Sequence, residues 1–132
     1  VMSVFGMSDE EANHNYNAVQ TGVDILHQIR DLADEFDRNV HLRLTVKTGR
    51  AVVGYVGTSQ RVEFTVLGDL VNVAHGMLQH AKPNRLLVGE DTFKRNSDQF
   101  SMKKLAPIQV KGRKRPVKIF EVLPDGNGSS PA

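Results

Sequence analysis

The stretch TVLGDLVNVAHGM, residues 65–77, changes its period in the middle. Thr65, Val66 and Leu67 end a run rich in β-branched residues that begins at Val62, and Gly68 breaks it. From Asp69 the apolar residues recur at helical spacing: Leu70, Val73, Ala74, Met77 and Leu78 form one stripe. The helix ends near Lys82-Pro83, because proline cannot continue it. Asp69 has the chemistry of an N-cap. Asn72 falls opposite the stripe and carries both a donor and an acceptor, at a helix start whose free amides favour anions. An ordinary surface asparagine would show the same pattern, so the residues alone leave its role open.

Working outward, AVVGYVG (51–57) and VEFTVL (62–67) are extended runs joined through the turn residues GTSQ (57–60), which predicts an antiparallel hairpin. Before it, VHLRLTV (40–46) alternates cleanly, with Val40, Leu42, Leu44 and Val46 on one side of a half-buried strand. A long helix is expected from Ser8 to about Phe36. Ser8 and Glu11 have the spacing of a capping box, and Val19, Val23, Leu26, Ile29, Leu32 and Ala33 make the buried face. Residues 2–5 read as a short buried strand stopped by Gly6. Downstream, Arg85–Val88 is a strand and Asp91–Arg95 a short helix. Residues 99–105, 107–110 and 116–123 are strand-like, with the turn VKGRKRP between the last two. The segment 124–132 is turn-formers and small polar residues, expected to be a disordered tail on one domain at 1–123. Strand, long helix, hairpin, helix and strands in that order describe an α+β sandwich, one sheet with helices mainly on one face.

Composition narrows the function classes. The chain has 132 residues, 24% of them charged, and no apolar run near the length of a membrane span. Cysteine is absent, which excludes disulfides, thiol catalysis and Cys-ligated metals and fits a reducing, cytoplasmic compartment. The opening VMSVF has no charged region before it and does not read as a signal peptide; it reads as a chain entered inside a structural element. The five histidines show neither HxxxH nor HExxH spacing, so no metal ligand set is expected from them. Phosphate loops of the GxxxxGK[ST] and GxGxxG kinds are absent, as is a GxSxG elbow.

Charge is unevenly spread. Residues 1–39 hold eight acids against two bases, and the rest of the chain holds fifteen bases against seven acids. Seven bases fall between Lys103 and Lys118 with no acid among them. Such a run suits a phosphate-bearing partner, and equally a strand edge protected from further pairing. No aromatic platform interleaves it, since Phe120 stands alone, so nucleic acid is not expected as a partner.

The segment 65–77 resembles the class III adenylate/guanylate cyclase catalytic domain, whose pattern there reads YTVIGDTVNLAARL. Other segments are similar to the same family in order and at matching spacing: VMSVFG (1–6), NHNYNAV (13–19), LRLTVKTGRAVVGYVG (42–57), HAKPNRLLVGEDTF (80–93) and LAPIQVKGRKRPVKIFEV (105–122). Lys47 stands where the family usually has His. The resemblance covers residues 1–123 and implies a ferredoxin-like cyclase sandwich with an antiparallel or mixed sheet. That domain dimerises head to tail, with nucleotide sites at the interface. It implies an intramolecular phosphoryl transfer in which the ribose 3′-OH of ATP or GTP attacks the α-phosphate and pyrophosphate leaves. Mg or Mn bound by two Asp activates that hydroxyl in the complete family domain.

Carried onto this chain, the resemblance assigns Asn72 to ribose orientation, Lys111 to phosphate binding and Thr65 to the purine edge. The transition-state Arg is expected four residues after Asn72, at Gly76, which has no side chain to supply charge. The family's first strand and helices, with both metal Asp residues, have no counterpart in these residues, and no acid of the chain is assigned to a metal. The expected reading is therefore a cyclase-family domain, a degenerate member or a fragment, that is inactive or very weak by itself. Two alternatives stay open: a portion of an active cyclase completed by another segment or subunit, and a non-catalytic dimerisation module. The expected partners are a purine nucleotide and a second cyclase domain, in a homodimer or heterodimer. If the acidic N-terminal segment meets the basic C-terminal edge of another copy, self-association weakens as salt shortens the Debye length to about 3 Å at 1 M. Sedimentation velocity at low and high salt checks this, and a monomer under both conditions removes the pairing.

Overall fold

The computed structural model describes residues 1–7, 12–36 and 40–124. Helix α1 (His14–Phe36) leads to strand β1 (Arg43–Val46), then to the hairpin strands β2 (Val52–Thr58) and β3 (Arg61–Leu67). Helix α2 (Asp69–His80), strand β4 (Arg85–Gly89), the seven-residue helix α3 (Glu90–Asn96) and strands β5 (Met102–Lys104) and β6 (Ile119–Val122) complete the order. The main sheet runs β1-β4-β6-β5. Its first pair is parallel and the other two are antiparallel, while β2 and β3 form a separate two-stranded ladder.

The strand RLLVG becomes β4 because a continuous apolar run suits a strand covered on both faces. Leu86 and Val88 face α1, where they meet Val19, Val23 and Leu26 together with Phe120 and Val122 of β6. Leu87 faces the other way, with Val73 and Met77 of α2 and with Val110, Val117 and Ile119. Alternation along β4 thus splits one core into two. Helix α3 joins the α1 side, where Phe93 stacks on Phe120 with ring centroids 3.9 Å apart. Two of the three helices lie on one face and α2 alone covers the other, giving an α+β sandwich over a mixed sheet.

Polar groups tie the layers. The Thr48 hydroxyl donates to Asn15 Oδ1 at 2.6 Å, and Thr92 Oγ1 lies 2.7 Å from it. The fully buried Thr92 hydroxyl thus lies within reach of both Thr48 Oγ1 and the Val46 carbonyl, the latter at 3.5 Å. Thr45 Oγ1 donates to the Ala74 carbonyl at 3.0 Å and holds α2 to β1.

Several boundaries differ from the sequence reading. Residues 2–5 form no strand, and Val1, Met2 and Val4 are exposed. An apolar run needs an open ladder to pair with, and this one lies on none. The α1 stripe is buried only through Leu26; Ile29 and Ala33 are half-buried and Leu32 is exposed, because the helix runs past the strands it packs on. The strand-like run at 99–105 contracts to β5, and 107–110 contributes a single bridge between Ile108 and Val117. The Ser8–Glu11 capping box and residues 125–132 lie outside the described residues.

Leu86 is fully buried at the α1 face. Leu86→Ala is expected to destabilise the chain by about 2–5 kcal/mol. Leu32→Ala, in the part of α1 that runs past the sheet, should cost less than about 0.5 kcal/mol because the residue is exposed. Urea unfolding of both variants measures the contrast.

Candidate functional site

Helix α2 starts where Gly68 turns the chain at φ 146°, a conformation that L side chains rarely adopt. Gly68 is the N-cap, not Asp69 as the sequence suggested, and no side chain caps the helix. Asp69 sits in the first turn, where a negative charge suits the helix dipole. Freed from capping, its carboxylate accepts a 2.5 Å bond from the Arg113 guanidinium. Both side chains are exposed, so the pair contributes at most about 1 kcal/mol. Its importance is positional.

The segment carrying Lys111 is a tight turn. The Arg113 amide donates to the Val110 carbonyl at 3.0 Å, Gly112 takes φ 88°, and Gln109 Nε2 donates to the Arg113 carbonyl at 2.7 Å. A β-turn of this kind needs positive φ at its third residue, which glycine meets without strain. Behind it, the two hydrogen bonds between Ile108 and Val117 close the loop. Lys111 is therefore an exposed cation on a short, well-bonded turn.

That turn runs alongside α2. Val110 packs on Gly76, and Arg113 grips Asp69. Asp69, Asn72 and Gly76 share one helix face by their spacing of three and four. Lys111 lies between the two anchors and is exposed, as is Asn72 on the helix. Thr65 lies on β3 opposite Gly54, three residues before the turn into α2. Asn72 and Gly76 thus lie on α2, Lys111 on the turn whose neighbours Val110 and Arg113 touch that helix, and Thr65 on the strand that feeds it.

Gly76 carries more than an absence. A Cβ built there would sit 2.6 Å from Val110 Cγ1, closer than real Cβ atoms come. The bare backbone of α2 is the surface on which Val110, 4% exposed, is packed. Sequence reasoning found the missing side chain at 76 but not this contact, since nothing in the local pattern joins residues 34 apart. It also missed Arg113 as the partner of Asp69. Among the described residues, no group of three or more His, Cys, Asp or Glu side chains is arranged to hold a metal ion. Asp69, the carboxylate nearest Asn72 in sequence, is already paired with Arg113.

A family profile for the adenylate and guanylate cyclase catalytic domain matches residues 1–123. An adenylate cyclase of Mycobacterium tuberculosis is 30% identical over 112 residues, covering 85% of this chain and 25% of that protein. Among solved structures, the adenylyl cyclase CyaB from P. aeruginosa superposes with a TM-score of 0.82 at 23% identity, over 90% of this chain and 64% of that one. The guanylate cyclase domain of RhGC from Catenaria anguillulae, solved in complex with GTP, gives 0.80 at 22% identity and the same coverage. The chain spans between 3% and 25% of the length of the curated relatives it matches. At these identities the structural likeness bears on the fold, and it agrees with the cyclase sandwich.

Gly76→Arg tests the contact at α2. Forcing a side chain against Val110 is expected to destabilise the chain by about 1–3 kcal/mol. In a Val110→Ala background, where the obstructing methyl groups are gone, the same substitution should cost clearly less. A double-mutant cycle from urea unfolding reads the coupling directly.

Proposed function

Because the chain belongs to the adenylate and guanylate cyclase catalytic-domain family, we propose that it supplies one nucleotide-binding face of a cyclase domain and performs little or no cyclisation by itself. In this reading the Asn72 amide orients a ribose, Lys111 neutralises phosphate charge, and the Thr65 hydroxyl bonds a purine edge. Mg or Mn accompanies the nucleotide in the complete family domain and would neutralise phosphate charge there. The protein's own contribution is to hold an amide and an ammonium along one helix face, where the Val110–Arg113 turn fixes their spacing.

The observation that carries the inactive part is the packing at Gly76. Cyclisation develops charge on the α-phosphate, and the expected Arg would lie one turn beyond Asn72 on the same face. There the helix backbone is pressed against Val110 instead. Losing one preorganised donor of this kind typically costs about 10²–10³ in rate.

Pairing with a second cyclase domain, of its own kind or another, is supported by the hairpin. Val52 and Leu67 are cross-strand partners, 70% and 54% exposed, and leave an apolar strip at the base of the β2–β3 arm. Such a strip suits a protein surface better than water.

The test is an assay of the purified chain with Mn-ATP and with Mn-GTP, alongside binding of a non-cyclising ATP analogue. Cyclic nucleotide should stay at the level of a Lys111→Ala control. Analogue binding should weaken about tenfold or more in that variant, as loss of a charged hydrogen bond implies. Turnover well above the control overturns the inactive reading; equal analogue affinity in both proteins overturns the assignment of Lys111.

A further inference from the structure

A concavity lined in part by the basic loop includes neither Asn72 nor Lys111 in its walls. It has a volume of about 600 Å³ and is walled by Lys47, by Glu90 and Asp91 of α3, and by the loop from Arg113 to Lys118. That volume lies within the range of small-molecule sites. We propose that this cleft is a separate binding site for a small phosphorylated ligand that also carries hydroxyl or amino groups.

The floor of the cleft is built by strand pairing. Parallel β1 and β4 end side by side with Val46 opposite Val88, so Lys47 emerges beside Gly89. Gly89 is buried, and the Lys47 stem lies over it. A Cβ at Gly89 would be 2.7 Å from Lys47 Cδ and 3.3 Å from its Nζ. The glycine is thus a slot that holds a half-buried lysine, reducing the side-chain entropy lost when its ammonium takes a partner. Antiparallel β6 brings the basic loop to the same end, with Gly89 opposite Ile119.

Charge within the cleft is not balanced. Arg113 is engaged by Asp69, and Lys118 by Glu90 at 3.3 Å. Among the described residues, Lys47, Lys114 and Arg115 have no acidic partner. Three unneutralised cations around one concavity repel each other, and a ligand with clustered negative charge relieves that repulsion. Arg115 offers a forked donor suited to phosphate oxygens. Asp91 is exposed at the rim, also without an ion pair, and a carboxylate can only accept. Its presence disfavours a bare polyanion and favours one that brings hydroxyl or amino donors.

Calorimetric titration of the full chain at constant ionic strength tests the site, with inorganic tripolyphosphate as the charge probe and ribose 5-phosphate as the probe with hydroxyls. Lys47→Ser with Arg115→Ser should weaken tripolyphosphate binding about tenfold or more, in line with the loss of two charge-assisted bonds. Gly89→Ala, which changes no charge, should weaken it severalfold by displacing Lys47. Lys103→Ser with Lys104→Ser removes the same charge from β5, outside the cleft, and should leave affinity within about twofold. Lys111→Ala should do likewise. Asp91→Asn should strengthen tripolyphosphate and weaken ribose 5-phosphate. An equal loss in the Lys103/Lys104 pair shows diffuse attraction and overturns the site. A loss in Lys111→Ala without one in the Lys47/Arg115 pair moves the probe to the α2 face and overturns it too. No binding of either probe at millimolar concentration also ends the proposal, and strengthening of both by Asp91→Asn removes the hydroxyl requirement.

Discussion

Strand β4 carries the structure because it is covered on both faces. Leu86, Leu87 and Val88 are each no more than 2% exposed, and they divide the apolar interior into an α1 side and an α2 side. Burying a large aliphatic side chain contributes about 1.5–3 kcal/mol, so this short run anchors a large share of the core. Everything proposed to act on a ligand is placed relative to it. Helix α2 rests on one face of the strand, Lys47 and Gly89 mark its end, and β6 lies along its edge. Loosening β4 would misplace both faces together.

On the α2 side, placement depends on close approach. The Thr45 hydroxyl holds the Ala74 carbonyl, and Gly76 lets Val110 touch the helix backbone. The turn carrying Lys111 then has little freedom, since its next anchor, Arg113, is bound to the first turn of the same helix. A Cβ at position 76 would press on Val110 where that side chain now sits, so one or the other must shift. The chain has the close turn. In the proposed reading it keeps Asn72 and Lys111 as ligand-facing groups and lacks the charge that an Arg at position 76 would bring to the transition state.

Much of this was legible in the amino-acid order. The break at Gly68, the alternation in 40–46 and the paired runs around GTSQ are local signals, and they led to β1, the hairpin and α2 with small errors at the ends. The resemblance at TVLGDLVNVAHGM supplied Asn72 and the gap at Gly76, and that at LAPIQVKGRKRPVKIFEV supplied Lys111. Tertiary contacts were not legible. Val110 on Gly76, Arg113 on Asp69 and Lys47 over Gly89 join residues 34 to 44 apart, and no periodicity encodes them. The apolar start at 2–5 misled for a related reason: composition reports a preference for burial, but a strand exists only where a ladder partner does.

Arg113 makes the two faces interdependent. Its guanidinium pairs with Asp69 on α2 while the same residue lines the cleft around Lys47 and Arg115. An anion in the cleft competes with Asp69 for that guanidinium. Whatever part of the pair it draws off is withdrawn from the anchor that ties the Lys111 turn to α2. If both faces bind as proposed, coupling of this kind is reciprocal, and a nucleotide that tightens the turn against α2 would change the affinity of the cleft by the same factor. The exposed Arg113–Asp69 pair is worth at most about 1 kcal/mol, which caps the effect near fivefold. That is a modulation of one face by the other and too small to be an on–off switch.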